Sequence, residues 1–180
     1  MSSRTPEEVS DLSQAANLEG LRLIAGGADL RNVPPSGVGE FELSIETGSG
    51  RPPEMPGKLL TKVALRITLR AGDKAVVGNM FVEYGLLYSI KPADYERLTD
   101  ELASAFSIFA SPIHAWPQAR EFFQNMSSRT GVINVLLPSF KHELFPDFFA
   151  AGHRFVEQHR AKVAKAAPGV GSQNLWTPEG

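Results

Sequence analysis

The residues able to do chemistry are few, and their spacing does not suit it. Cysteine is absent, which removes thiol catalysis, disulfides and thiolate metal sites. The histidines are His114, His142, His153 and His159. Two ligands on one helix face stand four apart, whereas His153 and His159 stand six apart. The chain contains no G-x-S-x-G, no G-x-x-x-x-G-K-[ST] and no G-x-G-x-x-G after a strand. Its Gly-x-Gly pairs, Gly37/Gly39, Gly48/Gly50 and Gly169/Gly171, lie in loop-like composition. The expectation is a protein that is not an enzyme and holds no metal and no cofactor. A small-ligand enzyme using His114 with acidic residues is the weakest alternative.

Aromatic residues are the richer signal. Phe140, Phe145, Phe148 and Phe149 crowd ten residues beside Pro138 and Pro146. Two readings stay open. One is a helix packed on a sheet. The other is an apolar groove between that helix and the segment before it, which would bind unfolded chains. Glu40, Glu42 and Glu46 flank one strand, as a solvated face or as an acidic strip for a basic partner. Arg66 and Arg70 on the neighbouring strand are placed to pair with them.

The elements that position these residues are organised around Leu59–Ile90. Val63, Leu65, Ile67 and Leu69 alternate with Lys62, Ala64, Arg66, Thr68 and Arg70, the period of a strand with one buried face. Ala71-Gly72-Asp73-Lys74 reads as a turn, with Gly72 free to take a positive φ and Asp73 able to bond its own backbone. In the returning strand Val76, Met80, Val82, Tyr84, Leu86, Tyr88 and Ile90 share one parity, yet Val77, Phe81 and Leu87 make the other face partly apolar. A partner subunit or an apolar ligand is then needed to cover that second face.

Upstream, Thr5-Pro6-Glu7-Glu8 opens a short helix that ends near Gly20. Leu21–Leu30 reads as a strand, with a bulge or bend at Gly26-Gly27. Gly39–Glu46 is a strand with Phe41, Leu43 and Ile45 facing in. Thr47–Lys58 holds three Gly and three Pro in twelve residues and reads as a long mobile loop. Downstream, Lys91-Pro92 stops the last strand. Asp94–Phe109 is one helix, with Tyr95, Leu98, Leu102, Phe106 and Phe109 on its apolar side. Ile113–Arg129 is a second, with Ile113, Trp116, Phe123 and Met126 inward, Pro117 near its first turn and Gly131 as C′ residue. Val132–Leu137 is a fifth strand or an extended crossover. Glu143–Ala166 is the last helix, with Phe148, Gly152, Phe155, Val156, His159 and Val163 on its stripe and Pro146 at its start or at a kink. The fold class is α+β, a four-stranded antiparallel sheet backed by C-terminal helices, with an extra short N-terminal helix. Residues 1–20 form an extension, 21–166 the domain, and 167–180, with Trp176, a tail read as disordered.

Composition sets outer limits. The chain has 180 residues, 42% hydrophobic and 21% charged, with a net charge of −2. It offers no basic field for nucleic acid. The polar start MSSRTPEEVSDLSQ has no apolar h-region. No run approaches the ~18 apolar residues of a spanning helix. A soluble, cytoplasmic protein without membrane insertion is expected.

Trp116-Pro117-Gln118-Ala119-Arg120-Glu121, Ser128-Arg129-Thr130-Gly131, Val135-Leu136-Leu137-Pro138 and Ser139-Phe140 with Leu144-Phe145 resemble a run of the SecB protein-export chaperones. Val63–Thr68 and Val82–Ile90 resemble that family's third and fourth strands. The likeness spans about Leu21 to Phe149, so 21–166 reads as a SecB-like domain. It implies a homotetramer, a dimer of dimers, acting as an ATP-independent holdase. Such a holdase binds unfolded precursor polypeptides for export through the Sec pathway and hands them to SecA. Protection of an antitoxin in a toxin–antitoxin system is the alternative, and a non-chaperone oligomeric adaptor is the rival. Family positions matching Met80, Val82 and Tyr84 bear on association and precursor binding. Leu43, Ile45, Met80, Val82, Tyr84, Trp116, Phe140 and Phe148 are the expected groove or assembly residues. The chain departs from the pattern at Phe81 and near Val33, where the family carries acids of its SecA-docking surface; Asp29 stands where a third would fall.

Overall fold

The computed structural model describes residues 11–31, 38–131, 135, 137–141, 143, 145–150, 152–154 and 157. Four antiparallel strands form one sheet in the order β1-β4-β3-β2: β1 (Ala16–Leu30), β2 (Glu40–Gly50), β3 (Lys58–Arg70) and β4 (Val76–Ile90). Three helices follow, α1 (Pro92–Tyr95), α2 (Asp100–Phe109) and α3 (Ser111–Thr130). Residues 146–150 and 152–154 are also helical, as are 11–15 before β1. The helices lie on one face of the sheet, α2 over β2 and α3 over β4 and β3.

The ribbon β3–β4 follows its hydrophobic period. Val63, Leu65, Ile67 and Leu69 are sealed against Met80, Val82, Tyr84, Leu86 and Tyr88 under the helices. Leu65 pairs with Val82 and Ile67 with Met80, so both strands present the same parity to the core. Each such side chain contributes about 1.5–3 kcal/mol by leaving water. At the turn, Asp73 Oδ1 accepts from the Ala75 N–H at 3.0 Å, as its type predicts. The positive φ falls on Lys74, at 67°, and not on Gly72.

Several boundaries move. β1 begins at Ala16, five residues before the expected Leu21, because Ala16, Asn17 and Leu18 pair with Ile90, Ser89 and Tyr88. Residues 11–15 are all that is described of the N-terminal helix; its start at Thr5 lies outside the described residues. The β1 register slips between Leu18 and Gly20 and between Leu23 and Ala25, whereas Gly26 and Gly27 pair regularly. Gly26 serves a close approach instead: a Cβ there would stand 2.6 Å from Phe122 Cζ. β2 runs on to Gly50, since Thr47–Gly50 pair with Val63–Leu60. The expected long loop shrinks to residues 51–57. Arg51 ties that loop to α2 through the Leu98 carbonyl and Asp100, both at 2.6 Å.

The predicted helix Asp94–Phe109 is two. Thr99 is extended, and its side chain accepts from the Leu102 N–H, capping α2. α3 carries Pro117 inside it, beyond the first turn, and stops at Gly131 in the left-handed conformation, φ 64°. Ile113 faces water rather than the core, 46% exposed. The last helix starts at Pro146. Phe155, Val156, His159, Val163 and the tail with Trp176 lie outside the described residues.

Candidate functional site: an aromatic groove and an uncovered sheet face

Trp116, Arg120, Phe123 and Ser127 step along α3 by four, three and four residues, which puts them on one stripe. Trp116 and Phe123 are the expected buried residues of that stripe. The polar pair between them is explained by what it holds. Residues 135 and 137–141 cross α3 without helix or strand structure, so their backbone has no ladder. The α3 side chains supply the partners. The Val135 N–H donates to Ser127 Oγ at 3.2 Å, Arg120 Nε donates to the Leu137 carbonyl at 2.8 Å, and Trp116 Nε1 donates to the Pro138 carbonyl at 2.9 Å. As the segment number rises the α3 number falls, so the two run antiparallel. Val135 and Leu137 are buried, while Pro138, Ser139 and Lys141 face water.

Aromatic rings close the far end. Trp116 meets Phe140 at 5.2 Å and Phe145 edge-on at 5.5 Å. Phe149 packs on Phe109 at 5.8 Å and on Phe148 at 5.1 Å. Phe145 and Phe149 are buried; Phe140 and Phe148 are half-buried. Gly152 lets the last helix close on α2, since a Cβ there would stand 2.6 Å from Ile108 Cγ2. The crossover reading of Val132–Leu137 therefore holds for its described residues, and the sheet has four strands. Of the quoted segments, Val132–Asn134, Leu136 and Leu144 lie outside the described residues.

The other proposed site residues sit on the covered face of the sheet. Ile45, Met80, Val82 and Tyr84 are buried, Leu43 is half-buried, and Leu43 and Ile45 lie opposite Ile67 and Leu65. Burial raises the Tyr84 phenol above its ordinary pKa, and the Glu121 carboxylate adds to the shift. Residues the sequence reading missed are Arg120 and Ser127. Their signal was a polar side chain on an otherwise apolar helical stripe.

His114 does not join an acid cluster. Its Nδ1 lies 2.9 Å from the Tyr88 hydroxyl. Burial holds the His114 pKa below its usual value. Burial also pushes the Tyr88 phenol up to about 12, against the hydroxyls of Ser111 and Thr61. Ser111 donates to Thr61 at 2.9 Å, both fully enclosed. This is a hydroxyl cluster pinning α3 to β3 and β4. Among the described residues no three His, Asp or Glu gather to hold a metal. His142 and His159 lie outside them.

Among the described residues, α1–α3 leave the opposite sheet face uncovered. There Phe81, 37% exposed, lies beneath the Arg66 guanidinium at 5.8 Å. Leu60, opposite Leu87, and Ile24, against Gly85, are exposed farther along the sheet, 45% and 55%. Two acids of this face are engaged: Glu42 with Arg70 at 3.1 Å, Glu83 with Lys62 at 3.5 Å. At the edge, Leu18 and Leu23 of β1 are exposed as well. No helix among the described residues is long and apolar enough to cross a membrane.

No family model and no curated protein matches the chain. Among solved structures, it is similar to a SecB-like chaperone of Mycobacterium tuberculosis in complex with a ChAD peptide from the HigA1 antitoxin. That match has a TM-score of 0.64 and 16% identity, covering 75% of this chain and 97% of that one. A protein of unknown function from Streptococcus agalactiae overlaps 69% of this chain and 97% of its own, at TM-score 0.40 and 7% identity. The first likeness shows the fold: this sheet, in this order, with helices after it, is the SecB-like architecture.

Proposed function

We propose that the protein is an ATP-independent holdase that keeps unfolded polypeptides from aggregating. The observation that carries the reading is an aromatic cluster of Trp116, Phe140, Phe145, Phe148 and Phe149 on a SecB-like fold. Client contact falls to Leu43, Phe140 and Phe148, which are half-buried, with Trp116 as the floor. Ile45, Met80, Val82 and Tyr84 belong to the buried core on which these side chains pack. Each Å² of apolar client surface covered is worth roughly 25 cal/mol, so several short apolar segments bind without a sequence code. The exposed Leu18, Leu23 and Ile24 of edge strand β1 support assembly into a homotetramer, because such edges are normally charged or covered. A cytoplasmic holdase of this kind presents secretory precursors to the Sec pathway.

A second reading is protection of an antitoxin. The Mycobacterium tuberculosis chaperone of the same fold was solved with a peptide from an antitoxin. Docking to SecA has less support, since Phe81 stands in place of an acid and Glu42 and Glu83 are already paired.

The test is native mass together with light scattering of an unrelated protein as it unfolds. An oligomer that delays scattering at substoichiometric amounts is expected. An oligomer with no effect on scattering leaves the adaptor. Polypeptides recovered with the tagged protein from its own cell then separate precursors from an antitoxin.

A further inference from the structure

We propose that the open face of the sheet docks an acidic polypeptide segment, with an apolar side chain seated on Phe81 and carboxylates on Arg66 and Arg22. The proposal is independent of the holdase reading, which concerns the covered face.

Register brings these residues together. Phe81 lies opposite Arg66 on β3 and Gly27 on β1. Its ring reaches both neighbours. The Arg66 guanidinium stands over it at 5.8 Å, and a Cβ on Gly27 would come within 3.4 Å of Phe81 Cε1. The ring is still 37% exposed, which leaves room for a further apolar group. Arg22 lies opposite Gly85, farther along β4 and on the same face. At about 3.3 Å per residue the two arginines stand roughly 13 Å apart along β4, one on each side of it.

Charge decides the occupant. Asp29, Glu19 and Glu83 are each closed by a base, Arg31, Lys58 and Lys62. Among the described residues, Arg22 and Arg66 close on no carboxylate. The residual charge around Phe81 is therefore positive. The remaining acids of this face, Glu40 and Glu46, lie on edge strand β2. Glu46 could have closed on Arg66. Glu42 lies opposite Thr68 and bonds Arg70, one diagonal step on, at 3.1 Å. Glu46 lies opposite Ala64 and stands on the same diagonal to Arg66, yet Arg66 turns to the ring instead. An arginine held on an exposed aromatic ring in the middle of a sheet face is an anchor of the type that carries binding energy at interfaces. Its unmatched charge selects a carboxylate.

The experiment uses full-length protein and a short fluorescent peptide with two Glu separated by an apolar stretch containing Leu and Phe. A control peptide carries Lys in place of each Glu. At low salt the acidic peptide is expected to bind at least about tenfold more tightly than the control, and to weaken as salt screens the charges. Arg66→Glu and Phe81→Ser should each weaken it at least about tenfold. Arg66→Gln, which removes the charge without reversing it, supplies the same reading if Arg66→Glu loses the native urea midpoint. Equal binding of the two peptides, or unchanged affinity in a folded Arg66 variant, overturns the proposal. A native mass that falls in Phe81→Ser, with no acidic peptide bound by wild type, assigns the face to a second copy and also overturns it. A wild type that binds the acidic peptide but delays no scattering supports this proposal and overturns the holdase reading alone.

Discussion

Two apolar segments of this chain look alike in sequence and are held by different means. β3, with Val63, Leu65, Ile67 and Leu69, lies between two strands and bonds both along its length. Val135 and residues 137–141 lie on a helix and are held there by three side-chain bonds. A ladder between two neighbours shares its load over many bonds, and breaking one leaves the rest. Three side-chain bonds are separable, and each depends on one residue. β3 is therefore held by a shared ladder, and the crossover by bonds that single substitutions can remove.

The contrast sharpens under substitution. Ile67→Ala should cost about 2–5 kcal/mol by urea denaturation, because a sealed side chain leaves a cavity between β3 and the helices. Ser127→Ala strands the buried Val135 N–H and should cost about 1–3 kcal/mol. Its exchange protection should fall at Val135 and persist in β3; loss across both would join the two regions into one unit. Trp116→Phe keeps a ring but removes the donor to Pro138, and should cost about 0.5–1.5 kcal/mol.

The next prediction concerns pH. The folded His114 pKa lies below the ordinary value of about 6.5, so the unfolded chain takes the proton first. Its contribution is fully present above ~6.5 and is lost as pH falls through the lower folded value. His114→Phe should flatten that acid limb in a series of urea midpoints, while leaving the β3–β4 exchange pattern unchanged. Smallest of all, Phe81→Ser on the open face should change stability by no more than about 0.5 kcal/mol. A larger loss in the native assembly than in dilute monomer would mean that a partner subunit covers Phe81.

The sequence by itself determined the ribbon. A period of two over Val63–Leu69, continued by Met80, Val82 and Tyr84, admits no other element. The residue type of Asp73 foretold its turn bond, and Gly131 foretold the end of α3. Tertiary structure decided what local signals leave open. Ala16–Gly20 and Thr47–Gly50 have weak strand character alone and become strand because β4 and β3 offer unpaired bonds beside them. Thr99 splits a continuous apolar stripe because its cap bond to Leu102 competes with helix continuation. Ile113 turns outward because Trp116, Ala119 and Phe123 take the covered side of α3. Whether Val135 and Leu137 join a sheet or lie on a helix depends on which neighbour satisfies their backbone. Here that neighbour is the trio Trp116, Arg120 and Ser127, spread over twelve residues of α3, which only folding aligns with the crossover.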